Sequence, residues 1–206
     1  MPHFDIVKKN DPEITFRVSK IQADFDVKLE HSNERFTGNI DFPEDWHIGV
    51  IVGASGTGKS TIAKELFGTE LITGFDYNAK SVIDDMPKQI KIDDITKMFY
   101  SVGFGSVPSW LKPYSVLSNG EKMRVDLARA LLEKDFVCFD EFTSVVDRQV
   151  AQTACIAINK AINKTNKKFV AVTCHYDILD WLQPDWVFDT NEMRSFFGNA
   201  HDRKKI

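Results

Sequence analysis

One short segment constrains this chain more than any other, the eight residues Gly53 to Ser60, which read G-A-S-G-T-G-K-S. The segment fits the pattern G-x-x-x-x-G-K-[ST]. It follows the apolar run Ile48 to Val52 and opens Ser60 to Phe67, which has helical spacing and ends at Gly68. Glycines let a backbone wrap closely around phosphates, and the start of a helix directs N–H groups toward them. We therefore predict a phosphate-binding loop between a strand and a helix.

Two side chains of this loop have predicted roles with a nucleoside triphosphate. Lys59 is expected to supply positive charge to the β and γ phosphates, and the Ser60 hydroxyl to complete the shell of a Mg²⁺ ion. The other predicted nucleotide-binding residues of this region are Gly53, Ser55, Gly56, Thr57, Gly58 and Thr61. Kinases, GTPases, helicases and transport ATPases all have such a loop, so the function class depends on the downstream part of the chain.

Composition and charge exclude several classes of protein. The chain is 43% hydrophobic and 27% charged, which is typical of a globular protein, and we predict one domain over residues 1–206. Lys and Arg number 26 against 30 for Asp and Glu, and a net charge of −4 argues against coating nucleic acid unaided. No apolar run approaches the roughly 20 residues of a membrane span, and no secretory signal is evident. We predict a cytoplasmic protein without direct membrane insertion.

The three cysteines have no predicted chemistry. Cys138, Cys155 and Cys174 are odd in number and show no C-x-x-C spacing, so neither a disulfide framework nor a zinc site is indicated. Cys138 and Cys174 lie in apolar, strand-like runs, where cysteine usually behaves as a small buried hydrophobic residue.

The order of elements predicts an α/β fold. Strands and helices alternate from His47 onward, which indicates a parallel sheet with helices on both faces. Before that point the apolar stretches alternate with turns, and we predict an antiparallel β lobe. A shortened helical lobe is expected over about residues 92–133. The predicted early strands are Ile14 to Val18, Phe25 to Leu29 and Phe36 to Phe42.

A pair of acids follows the apolar run Phe136 to Phe139. Parallel strands deliver their carboxyl ends to one sheet edge, so Asp140 and Glu141 are expected near the phosphate loop. Asp140 is predicted to hold Mg²⁺, directly or through water. Glu141 is predicted to act as the general base that polarises the attacking water.

The segment from Leu117 to Leu132 reads L-S-N-G-E-K-M-R-V-D-L-A-R-A-L-L and resembles the signature motif of ABC-type ATPases. Physically, Ser118 is a plausible N-cap and Gly120 permits close approach, so the motif presents another helix start that attracts anions. Ser144 to Asp147 is similar to the D-loop of that family, and His175 to its switch histidine. The resemblance covers about residues 20 to 200 in the family order.

The resemblance implies a mechanism and a partner. Two ATP molecules lie between the subunits of a head-to-tail dimer, each held by the phosphate loop of one subunit and by Ser118 and Gly120 of the other. Asp147 of the D-loop is an implied nucleotide-binding residue, and His175 contacts the γ-phosphate. The implied catalytic set is Lys59, Glu141 and His175, and the implied metal set is Ser60, Asp140 and Gln89.

Three features depart from the family pattern. Asn119 and Glu121 replace the usual Gly and Gln of the signature, and Glu121 brings negative charge near the incoming phosphate. Ser60 and Ser118 are only 58 positions apart in the sequence, so the lobe that grips a permease is short. The glutamine of the family's Q-loop has two candidates here, Gln89 and, alternatively, Asp85 beside the metal. Gln89 is the prediction.

The aromatic residues leave further alternatives open. Phe16, Phe25 and Phe36 are candidates for stacking on adenine, although core packing is favoured for each. Phe104, Trp110 and Tyr114 form either an exposed partner-binding loop or part of the core.

The sequence supports two hypotheses for the function. The first is a stand-alone ATPase that dimerises on ATP and acts in the cytoplasm on an unknown protein or nucleic-acid partner; the short helical lobe favours it. The alternative is the nucleotide-binding subunit of a membrane transporter with a separate permease. A nucleotide-dependent clamp without turnover ranks last, because Glu141 is present.

Overall fold

Two sheets organise the chain in the computed structural model, which describes residues 2–10, 13–27 and 32–198. The strands are β1 (His3–Asn10), β2 (Ser32–Asn39), β3 (Ile48–Val52), β4 (Leu71–Ile72), β5 (Phe136–Phe139), β6 (Lys168–Thr173), β7 (Trp186–Asp189) and β8 (Arg194–Phe197). The helices are α1 (Phe16–Phe25), α2 (Lys59–Phe67), α3 (Ile92–Ser101), α4 (Val107–Trp110), α5 (Asn119–Glu133), α6 (Arg148–Ile162) and α7 (Ile178–Leu182). Short 3₁₀ turns lie at Gly68–Glu70, Val82–Asp85 and Tyr114–Val116.

The larger sheet has the strand order β4-β5-β6-β3-β7-β8. Its first five strands are parallel, and only β8 pairs antiparallel, with β7. All five residues of the central strand β3 are buried, as expected for a parallel strand covered on both faces. The predicted α/β fold with a parallel core sheet is confirmed, and β1 and β2 form a separate antiparallel pair.

Apolar side chains fill both faces of this sheet. Val50 and Val52 of β3 pack in the cluster that contains α3, α5, α6 and α7, whereas Ile51 packs in the cluster with α2 and β1. The second cluster centres on Trp186, which is fully buried and contacts the ring of Trp46 edge-on at 5.5 Å between centroids. The two layers therefore enclose β3 and fix the point at which the loop after it begins.

The early part of the chain differs from the prediction. Of the segments predicted as strands, Ile14 to Val18 overlaps the start of α1, and Phe25 to Leu29 overlaps only its last residue; residues 28 and 29 lie outside the described residues. Thr15 caps this helix by accepting a hydrogen bond from Val18 N at 3.3 Å. No residue of α1 is buried, so the alternating apolar residues in this segment do not correspond to the buried face of a strand. The third predicted strand, Phe36 to Phe42, overlaps only the end of β2.

The structure also shows which of the cysteine and aromatic side chains discussed above are buried. Cys138 is buried as predicted, but Cys174 is exposed, because it lies just beyond the end of β6 rather than within it. Phe104 and Trp110 are buried, which decides for core packing over an exposed loop, and the Trp110 indole N–H donates to Phe104 O at 2.9 Å.

Within the part of the chain that the structure describes, no helix is both long and apolar enough to cross a bilayer.

Candidate nucleotide-binding and catalytic site

The carboxyl ends of three neighbouring strands converge at one edge of the large sheet. β3 leads into the phosphate loop, β5 into Asp140 and Glu141, and β6 into His175 within two residues. Because these strands are parallel and adjacent, the chain brings together residues that lie more than a hundred positions apart. This edge is the candidate site.

The phosphate loop has the conformation that its glycines predict. Gly58 adopts φ +85° immediately before α2, and a side-chain carbon there would come within 2.7 Å of the Phe36 ring. Lys59, Ser60 and Thr61 form the first turn of α2, so their backbone N–H groups lack helical acceptors. The Lys59 ammonium donates to Ala54 O at 2.7 Å, which folds the side chain back over the loop.

A set of residues that the sequence analysis missed supports this loop from the far end of the chain. The Asn191 side-chain oxygen accepts from Ala54 N at 3.1 Å, and its amide group donates to the Tyr176 hydroxyl at 2.8 Å. Thr190 Oγ1 lies 2.5 Å from Thr57 Oγ1. The two contacts with the phosphate loop join positions more than 130 residues apart, and no local motif in the sequence signals them.

Ser60 and the acid pair meet directly. The Ser60 hydroxyl donates to Asp140 Oδ1 at 3.0 Å, and the same oxygen accepts from Glu141 N at 2.9 Å. A hydroxyl beside a carboxylate at the end of a phosphate loop suits Mg²⁺, which takes one or two protein oxygens and completes its octahedron with water and phosphate oxygens. The predicted pairing of Ser60 with Asp140 therefore fits the ion.

The Glu141 side chain is held beside this pair. Glu141 adopts φ +51°, an uncommon backbone conformation for a residue with a side chain, which marks the sharp turn after β5. Its Oε2 accepts from the Ser144 hydroxyl at 2.6 Å. The carboxylate is thus exposed yet oriented, which is what a general base requires.

His175 and Asp147 also have defined partners. The Nδ1 atom of His175 lies 3.3 Å from the Thr143 hydroxyl, so the loop after Glu141 orients the ring. Asp147 is the N-cap of α6 and accepts from Val150 N at 2.9 Å. A structural role as a helix cap is therefore established for Asp147, whereas its predicted contact with nucleotide stays a prediction.

The signature segment begins α5 with a reciprocal cap. Ser118 Oγ accepts from Glu121 N at 3.3 Å, and Glu121 Oε2 accepts from Ser118 N at 3.0 Å and from the Ser118 hydroxyl at 2.9 Å. The other carboxylate oxygen of Glu121 accepts from Ser109 of α4 at 2.7 Å. Hydrogen bonds from Ser109 and Ser118 hold the pKa of Glu121 below its usual range. Within the described residues, no hydrogen bond joins Ser118 or Gly120 to the phosphate loop.

A cavity of about 200 Å³ lies between the acid pair and α5. Thr73, which directly follows β4, lines it together with Asp140, and Asp140 N donates to Ile72 O at 3.0 Å. The remaining lining residues are Gly74, Tyr114, Asn119, Lys122, Met123, Asp126, Phe139, Glu141 and Val145.

The two Q-loop candidates do not reach this cavity. Val82–Asp85 form a 3₁₀ turn, and Gln89 follows it in an exposed turn. Asp85 accepts from Asn78 N and Ala79 N, each at 3.0 Å, and so closes a local turn. β4 pairs with β5, and its last residue Ile72 accepts from Asp140 N. Thr73, the next residue, therefore lies beside Asp140. Gln89 does not line the cavity beside Asp140, and its role as a metal ligand stays a prediction.

A second missed group connects α5 to the segment after β4. Asp126 accepts from the hydroxyls of Tyr77 and Tyr114 at 2.7 and 2.8 Å, and the two tyrosine rings stack with centroids 3.9 Å apart. Burial raises the pKa of Asp126 and of both tyrosines. The sequence held a signal: Asp126 lies three residues after Met123 and four before Ala130, on the buried stripe of α5, where a carboxylate needs partners.

The three aromatic candidates for adenine stacking differ in their exposure and in their distance from the phosphate loop. Phe16 and Phe25 belong to the exposed helix α1 and make up part of its outer surface. Phe36 is half-buried on β2 and packs against Gly58 of the phosphate loop.

Comparisons with known proteins identify the fold. No protein-family model matches the chain. The chain is 26% identical over 204 aligned positions to the energy-coupling factor transporter ATP-binding protein EcfA1 of Staphylococcus aureus strain USA300, covering 76% of this chain and 74% of that protein. EcfA1 of strain MSSA476 is 28% identical over 181 positions, covering 69% and 66%.

Solved structures of ATP-binding cassettes have the same fold as this chain. The dimeric, post-hydrolysis ATP-binding cassette MJ0796, bound to ADP and phosphate, superposes with a TM-score of 0.64 at 14% identity, over 83% of this chain and 94% of that one. The protein cbiO1 from Clostridium perfringens, part of an ABC transporter complex, gives 0.62 at 18% identity, over 85% and 83%. The fold of this chain is that of an ABC-type cassette.

Proposed function

We propose, since the chain is an ABC-type ATPase domain that hydrolyses ATP with Mg²⁺, that two copies close head to tail on ATP and drive a partner by opening after hydrolysis. The contact between Ser60 and Asp140 at 3.0 Å carries the chemical part of this proposal, because it joins the phosphate loop to the acid pair. The dimeric state of the cassette MJ0796 supports the closed arrangement.

The residues divide the chemistry among them. Lys59 would leave Ala54 O to bind the β and γ phosphates, and the N–H groups at the start of α2 would bind the remaining phosphate oxygens. Ser60 and Asp140 would hold Mg²⁺, which neutralises charge on the phosphates when bound. Glu141, oriented by Ser144, would take a proton from the attacking water. His175, oriented by Thr143, would contact the γ-phosphate from the side of β6.

The second subunit would complete each site. Ser118 and Gly120 lie at the start of α5, whose N–H groups and positive dipole end suit a γ-phosphate. In one copy, as far as the described residues show, no hydrogen bond joins them to the phosphate loop, so they are not engaged by the site of their own subunit and would serve the nucleotide of a partner copy. Asp147, the cap of α6, would position the adjoining D-loop.

For the partner, we favour a membrane permease over a free protein or nucleic acid. The observation behind this choice is that EcfA1 is the ATP-binding protein of a transporter and cbiO1 is part of a transporter complex. The stand-alone hypothesis rests on the interval of 58 positions between Ser60 and Ser118. The chain would then be the nucleotide-binding subunit that works beneath a separate membrane protein.

The decisive experiment uses Glu141→Gln and Lys59→Ala. Glu141→Gln should lower phosphate release by about 10²- to 10⁴-fold, the usual contribution of a general base, and should trap an ATP-bound dimer. Lys59→Ala should bind no nucleotide and stay monomeric. Light scattering with and without Mg-ATP, alongside phosphate release, measures both. Full turnover in Glu141→Gln would overturn the base assignment.

The partner requires its own test. The trapped Glu141→Gln protein, expressed with an affinity tag in its source cells, should be recovered from detergent-solubilised membranes with an integral membrane protein in an ATP-dependent manner. Lys59→Ala is the matched control and should not be. Recovery only from the soluble fraction, or with nucleic acid, would instead support the stand-alone hypothesis.

A further inference from the structure

The hydroxyl of Ser118 is already occupied before any nucleotide arrives. A serine hydroxyl has one proton, and here it is donated to Glu121 Oε2 at 2.9 Å. The oxygen itself accepts from Glu121 N at 3.3 Å. Ser118 can therefore donate to a phosphate oxygen only after its bond to Glu121 is broken.

Glu121 is also fixed from a second direction. Its Oε1 accepts from the hydroxyl of Ser109, a residue of α4 that is only 4% exposed and that also contacts Ser106 Oγ at 3.0 Å. The carboxylate thus joins the start of α5 to the body of the helical lobe. Glutamate is ionised at neutral pH, and the same hydrogen bonds hold the pKa of Glu121 below its ordinary range.

From these contacts we infer that Glu121 is a positioning residue that competes with the γ-phosphate for Ser118 and so sets how much ATP the dimer needs to close. This inference rests on the proposed head-to-tail dimer. Two effects act together. The Ser118 hydroxyl must stop donating to Glu121 before it can donate to a phosphate oxygen, and the negative charge of Glu121 repels the negative charge of the entering phosphate. Closure then requires the carboxylate to release Ser118 or rotate toward Ser109.

The substitution Glu121→Gln isolates this effect. Glutamine serves equally well at this position of a helix cap, so α5 should keep its start, while the negative charge is lost. The matched control is Glu133→Gln in the last turn of the same helix, where the carboxylate pairs with Arg129 at 2.9 Å, at the opposite end from Ser118. Both substitutions change the net charge equally.

The experiment measures the ATP concentration at which half of the protein is dimeric, in the Glu141→Gln background, by light scattering. Adding Glu121→Gln should lower this concentration by about tenfold, the scale of one charge removed from beside a phosphate near a protein surface. Adding Glu133→Gln should leave it unchanged. The difference between the proteins with and without Glu121→Gln should shrink as salt is raised, which a purely structural role would not produce.

The outcomes separate this inference from the proposed function. If Glu141→Gln dimerises on ATP but Glu121→Gln shifts the midpoint no more than Glu133→Gln does, the inference is overturned and the proposed dimer stands. If Glu141→Gln stays monomeric and Glu121→Gln restores the dimer, the competition is supported in its strongest form. If neither protein dimerises, both proposals fall together.

Discussion

At the scale of single residues, Gly49 in the central strand β3 is a position where a side chain must be absent. A carbon added there would lie 2.1 Å from the Trp186 ring, which is itself fully buried between β3 and the aromatic cluster. We expect Gly49→Ala to lower the free energy of unfolding by about 1–3 kcal/mol, as overpacking of a core usually does. Urea titration measures the change.

The control for this prediction is Gly105→Ala. A carbon added at Gly105 would meet its nearest neighbour, the Tyr100 ring, at 3.7 Å, which is ordinary contact. Its effect should stay within about 0.5 kcal/mol, as for other surface substitutions. Equal destabilisation by both variants would show that the loss does not arise from the Trp186 contact.

Asn191 permits a second prediction at this scale. Its side chain accepts from Ala54 N in the phosphate loop, and this hydrogen bond is at the protein surface, where water can replace it. Asn191→Ala should therefore weaken Mg-ATP binding by about twofold to tenfold, corresponding to roughly 0.5–1.5 kcal/mol for one hydrogen bond. Isothermal titration calorimetry measures the affinity. Asn163→Ala, at the end of α6, is the control and should bind ATP like the wild type.

At the scale of elements, α5 connects the helical lobe to the sheet edge through Asp126. Burial raises the pKa of this carboxyl, so the folded chain holds the proton more tightly than the unfolded chain does. Its protonation therefore favours the folded state at low pH, and this contribution is lost as pH rises through the raised pKa. Asp126→Asn cannot titrate and should lack this part of the pH dependence.

The measurement compares urea unfolding of both proteins at pH 7 and at stepwise lower pH. As pH falls toward the ordinary pKa of aspartate, the wild type should gain stability relative to Asp126→Asn. A gap between the two proteins that is constant with pH would contradict the prediction. Asp93→Asn, in the first turn of α3, provides a control on an exposed carboxylate.

Elements and site residues differ in how far the sequence predicts them. The strand Phe136–Phe139 coincides with the apolar run in the sequence, and α2 begins one residue before the predicted Ser60, because apolar runs and flanking glycines are local signals. The region around α1 was misread, because a few alternating apolar residues suit either a strand or an exposed helix. Thr73 was not found at all, since only the pairing of β4 with β5 brings it beside Asp140.

At the scale of the whole molecule, the phosphate loop follows the central strand of the sheet and is also tied to the turn after β7 through Asn191. A ligand bound there should stabilise the entire fold, because both clusters of the core pack on β3. Mg-ATP at about one hundred times its dissociation constant should add about 2.7 kcal/mol to the free energy of unfolding. The melting temperature should rise by roughly 5–11 °C for a chain of this size.

Three proteins measured by circular dichroism discriminate the causes of such a shift. Lys59→Ala should melt at the same temperature with and without Mg-ATP, because it lacks the charge that binds the phosphates. Glu141→Gln should shift more than the wild type, and its shift should grow with protein concentration, since closure of a dimer adds a second linked equilibrium. A shift in Glu141→Gln that does not depend on protein concentration would mean that ATP stabilises the monomer alone.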